Sequence, residues 1–90
     1  MNDSEKLAEL RRQIDTVDEQ LVAWLNERAR LSLQVGIVKT QGGTAIEQPD
    51  REAAVLKHIS KVTQGPLSDE GLQTIFKTII KVCRTIQFNK

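Results

Sequence analysis

From Ser4 to Thr40 the chain repeats apolar residues at alternating spacings of three and four: Leu7, Leu10, Ile14, Val17, Leu21, Trp24, Leu31, Val35 and Val38, with Arg28 set into the same series. That period is the seam of an α-helix, not of a strand. No Pro interrupts it up to Val38, and Gly36 is its only Gly. At 1.5 Å per residue such a helix spans roughly 55 Å. A compact chain of this size has a radius of gyration of only about 12 Å. The helix must therefore protrude, and with no second domain to cover its far half, the expected cover is a second copy of the chain. The expected assembly is an intertwined homodimer.

The remaining elements follow from punctuation. Asn2, Asp3 and Ser4 each suit a cap for the first helix, and Asn2 has Glu5 at capping-box spacing. Gly36 costs that helix up to about 1 kcal/mol relative to Ala, and its expected use is close packing against another helix. Gly42 and Gly43 end the helix, and Thr44 to Gln48 form the connection. The local sequence KTQGGT lacks the GK[ST] ending of a phosphate-binding loop. Pro49 opens a short second helix, with Asp50 and Glu52 at its positive end. Ala53, Ala54, Leu56 and Ile59 form its apolar face until Gly65 and Pro66 stop it. Ser68 then caps a third helix, with Leu67 and Leu72 placed as a hydrophobic staple. Its broad apolar face, expected to be buried, runs through Leu72, Ile75, Phe76, Ile79, Ile80, Val82, Cys83 and Ile86. No strand pattern occurs, so the expected fold is all-α: three helices, long, short and medium, in a single domain over residues 1–90.

Composition narrows the function classes. Thirteen Lys and Arg face 12 Asp and Glu, a net charge of +1, so no global basic field recommends nucleic acid as a partner. The three aromatics, Trp24, Phe76 and Phe88, are too few for a base-stacking surface. A single cysteine, Cys83, excludes an internal disulfide and a cysteine-based zinc finger, and a single histidine, His58, excludes a histidine cluster. Charges stand where a signal peptide needs its apolar core, and no run reaches membrane-spanning length. The expectation is a soluble cytoplasmic protein without a membrane partner.

A few polar groups fall on apolar faces. Arg28 and Lys39 lie eleven residues apart, within about 20° of one helix face and roughly 16 Å along it. Either they converge on one anion between helices, or Arg28 snorkels to a rim and Lys39 is solvated. Arg11 is seventeen residues before Arg28, roughly 25 Å away. It is either a surface charge or, in an antiparallel dimer, a visitor to the Arg28 region of the other chain. On the third helix Phe76, Ile80, Cys83 and Gln87 share a face. Gln87 there is a rim residue or a neutral amide donor aimed into a cavity. Cys83 reads as core and has no evident base to make it a nucleophile. Glu52 beside Arg51 either compensates the helix dipole or accepts a hydrogen bond from a ligand hydroxyl. Many donors and one acceptor suit a small dianion carrying a hydroxyl, and they lack the nucleophile and base of a hydrolase.

Four segments in this order, LRRQIDTVDEQLVAWLNER, VGIVK, PDRE and FKTIIKVCRTIQ, resemble the all-helical class of chorismate mutase over nearly the whole chain. The resemblance implies a three-helix protomer whose long helices intertwine in a homodimer, with two active sites each built from both chains. It implies rearrangement of chorismate to prephenate in phenylalanine and tyrosine biosynthesis, with no cofactor, metal or covalent intermediate. Carried onto this sequence, it gives Arg28 and Lys39 the enolpyruvyl carboxylate, and Arg11 of the other protomer the ring carboxylate. Lys39 and Gln87 donate to the ether oxygen. Glu52 accepts from the ring hydroxyl, helped by the backbone near Gln48, and Arg51 adds positive potential. Cys83 stands where relatives commonly have a serine that binds the ring carboxylate, and a thiol donates more weakly. Gln48 stands where some relatives have an aspartate. Two alternatives are an isochorismate pyruvate-lyase on the same fold and a noncatalytic helical dimerisation module.

Overall fold

Asn2 starts the first helix: its side-chain Oδ1 accepts the backbone N–H of Glu5 at 2.8 Å, half of the capping box the spacing predicts. The computed structural model describes residues 1–42 and 49–88. Helix α1 spans Asp3–Gly42, α2 spans Pro49–Val62 and α3 spans Asp69–Phe88. No strand occurs among the described residues. Gly42 closes α1 as expected. Gly43 and the connection from Thr44 to Gln48 lie outside the described residues.

Helix α3 packs against both α1 and α2. Its start is fixed by Ser68, whose Oγ accepts the backbone N–H of Gly71 at 3.0 Å. The α2–α3 hairpin is tied by side chains near its turn. Gln73 donates through Nε2 to the Leu56 carbonyl at 2.9 Å and to Ser60 Oγ at 2.8 Å, and Ser60 donates to Asp69 at 2.6 Å. Gly65, at φ +76°, makes the left-handed bend between the two helices.

On the polar face of α1, Arg12 and Gln13 both donate to Glu9, and Arg30 donates to Glu27. The Arg12 hydrogen bond is the main cause that holds the Glu9 carboxyl below its ordinary range. The apolar face lies open. Leu10, Ile14, Val17 and Leu21 are each more than half exposed, and Trp24 is 72% exposed. The only buried residue of α1 is Gly36, and the only buried apolar side chain among the described residues is Cys83. The chain measures 60 × 27 × 15 Å with a radius of gyration of 17.1 Å. It exposes 7251 Å², against about 5,300 Å² for a compact monomer of this size. Exposed apolar side chains run along α1 from Leu7 to Val38 and recur at Ile75 and Val82 on α3.

Candidate active site

Where α1, α2 and α3 come together they enclose an open cleft of about 270 Å³. From α1 it receives Arg28, one turn from Ser32 and two from Val35, so one stripe of the helix forms the wall. From the first turns of α2 it receives Arg51, Glu52 and Val55, and from α3 Ile80, Cys83, Arg84 and Gln87. The sequence thus places Arg28, Arg51, Glu52, Cys83 and Gln87 in one site, although Arg28 and Gln87 are 59 positions apart.

Each side chain has a local reason for its position. Arg28 replaces an apolar residue in the seam, and the residue is half-buried and lines the cleft. It makes no hydrogen bond or ion pair to any described residue. Gln87 is half-buried against Gly36. A Cβ on Gly36 would stand 3.1 Å from Gln87 Cγ and 3.2 Å from its Cβ. This is the helix contact the sequence predicts for that glycine. Gln87 Nε2 donates to the Ser32 carbonyl at 2.9 Å. That bond fixes which end of the amide faces α1, because a carbonyl cannot take the donor's place. One N–H remains for a ligand. Gln87 Oε1 is buried without a partner.

Lys39 is half-buried on α1, one turn beyond Val35. It is not part of the cleft wall within one chain. Arg11 is exposed on the protruding half of α1, far from this cleft in its own chain. Gln48 lies outside the described residues. Cys83 is a buried free thiol at the base of the cleft, as its core role predicts.

Two participants were not picked out from the sequence. The Ser32 carbonyl is a mid-helix backbone atom, and no sequence signal marks it. Arg84 forms a hydrogen-bonded ion pair with Glu52 across the α2–α3 boundary. Its signal was present, since it stands four residues after Ile80 and three before Gln87, beside the stripe already assigned to the site. Among the described lining residues Arg28, Arg51 and Arg84 face a single carboxylate, so this lining is electropositive in a chain of net charge +1. Such a site selects small anions.

The sequence pattern of the family described as chorismate mutase type II matches residues 10–88, the span that carries the cleft. The chain belongs to that family. It is 38% identical to the bifunctional chorismate mutase/prephenate dehydratase of Pseudomonas aeruginosa over 97% of this chain and 25% of that protein. The chain therefore spans about a quarter of the length of that curated relative. Among solved structures it is similar to chorismate mutase form II from Thermus thermophilus, with a TM-score of 0.92 and 28% identity over 94% of this chain and 97% of that one. It is also similar to the Helicobacter pylori chorismate mutase solved in complex with prephenate, with a TM-score of 0.87 and 29% identity over 94% and 92% of the two chains. The all-α chorismate mutase fold accounts for the long α1 and for a site shared among three helices.

Proposed function

We propose that the chain, as a single domain, is an isomerase that converts chorismate to prephenate in phenylalanine and tyrosine biosynthesis. The observation that carries this is the convergence of Arg28, Glu52 and Gln87, from three helices, on one electropositive cleft. A cation, an acceptor and a neutral donor match a dianion with a hydroxyl and an ether oxygen. The reaction is unimolecular: the bond from ether oxygen to ring breaks while a carbon–carbon bond forms, and no atom is gained or lost.

Two effects supply the acceleration. Arg28 and Lys39 bind the enolpyruvyl carboxylate, and Arg11 of the other protomer binds the ring carboxylate. This clamp holds the substrate in its compact reactive conformer, a positioning effect worth several kcal/mol. Lys39 and the second N–H of Gln87 donate to the ether oxygen as negative charge develops there. A preorganised donor of that kind is worth about 3–4 kcal/mol. Lys39 is within one turn of the cleft wall at Val35, a distance its side chain spans. Glu52 accepts from the ring hydroxyl, the backbone near Gln48 assists, Arg51 adds positive potential, and Cys83 offers a weak donor at the base.

The functional unit is a homodimer with two shared sites. The open apolar seam of α1 and roughly 2,000 Å² of surplus surface support it. A cytoplasmic setting suits the buried free thiol of Cys83. No helix among the described residues is long and apolar enough to cross a membrane.

The test is loss of chorismate absorbance with the purified protein, with prephenate confirmed by acid conversion to phenylpyruvate. Wild type turns over, and Lys39→Ala loses at least about 10²–10³-fold in kcat. A folded dimer that leaves chorismate intact would overturn the assignment, and pyruvate release from isochorismate would replace it with the lyase.

A further inference from the structure

Among the described residues Glu52 is the single carboxylate lining a cleft that also holds three arginines, and its position there is not self-evident. It stands in the first turn of α2, where a glutamate with no other partner folds back toward the positive end of its own helix. Instead its carboxylate reaches across to α3 and pairs with Arg84. Both side chains are partly shielded from water, at 26% exposure for Arg84 and 36% for Glu52. A charge-assisted bond in such a setting is stronger than one in open solvent. Carboxylate oxygens offer about four acceptor sites between them. Pairing with Arg84 therefore leaves Glu52 able to accept a further hydrogen bond.

We propose that Arg84 is a positioning residue that holds the Glu52 carboxylate in the cleft as the acceptor for the ring hydroxyl of the substrate. The ion pair removes the rotamer freedom of a long side chain before the ligand arrives, so less ordering remains to be done on binding. Arg84 is thereby a specificity element. It makes the site read the hydroxyl of its ligand, not only the two carboxylates. This rests on the role of Glu52 as hydroxyl acceptor.

The experiment uses two competitive inhibitors of the dimeric protein: a cyclic ether dicarboxylate carrying a ring hydroxyl, and its deoxy analogue. Wild type binds the hydroxylated compound about tenfold or more tighter, the value of a hydrogen bond to a charged group. Glu52→Ala brings the two to near parity. Arg84→Ala does the same, while Arg84→Lys retains most of the preference because an ammonium still pairs with the carboxylate. A merely structural Arg84, or one that binds a ligand carboxylate directly, would weaken both compounds by one factor and leave their ratio unchanged, which overturns the proposal. If Glu52→Ala keeps the wild-type preference, the acceptor role itself fails, and the positioning role with it. If Glu52→Ala loses the preference but Arg84→Ala keeps it, Glu52 is the acceptor and only the positioning by Arg84 is refuted.

Discussion

At the scale of single residues the site depends on small groups as much as on charged ones. Gly36 leaves the space into which Gln87 fits, and the Ser32 carbonyl one turn earlier fixes the amide's orientation. Gly36→Ala should gain up to about 1 kcal/mol of helix propensity. Its methyl group must also displace Gln87 by a few tenths of an ångström. Misplacement by 1 Å can cost about 10²-fold, so the expected result is a kcat lower by about tenfold with a Tm no lower than wild type. Steady-state kinetics beside a melting curve checks it, and an unchanged kcat would show that Gln87 tolerates the shift. The glycine's packing role was legible because a lone Gly inside a long apolar seam has few other uses. Arg84 was less legible, because its partner Glu52 is 32 positions away. Their meeting depends on how the α2–α3 hairpin closes. Nothing in the sequence marked the Ser32 carbonyl, since every residue has one.

At the scale of elements, boundaries followed capping chemistry closely. Asn2 and Ser68 each accept a backbone N–H three residues on, and Pro49 begins α2. Helix ends set by such side chains are readable because the cap residue and its target are adjacent in sequence. The ties that set the angle between α2 and α3 run from Gln73 to Leu56 and Ser60, between residues far apart in sequence, and they were not foreseen. Ser68→Ala should cost about 1 kcal/mol. In a domain of this size that lowers Tm by about 4–8 °C. Because Ser68 lies outside the cleft, kcat of the folded protein should stay at the wild-type value. Calorimetry and a turnover assay on one sample test both parts.

At the scale of the whole molecule, the length of α1 governs everything else. A 40-residue helix cannot be covered by two helices of 14 and 20 residues, and its apolar seam from Leu7 to Trp24 is left exposed. That outcome was legible from helix length alone. The direction in which a partner lies along the seam was not, because an apolar stripe specifies burial but not register. The proposed arrangement brings Arg11 of one protomer to the Arg28 and Lys39 of the other, so each site needs both chains. Subunit complementation tests this most directly. Arg11→Ala and Lys39→Ala proteins, each nearly inactive alone, are refolded together in equal amounts and assayed for chorismate turnover. Random pairing makes half of the dimers mixed, and each mixed dimer has one intact site of its two, so the account predicts recovery of about a quarter of wild-type activity. Activity no greater than the average of the two parents would contradict it, and would mean that Arg11 and Lys39 act in a site within one chain.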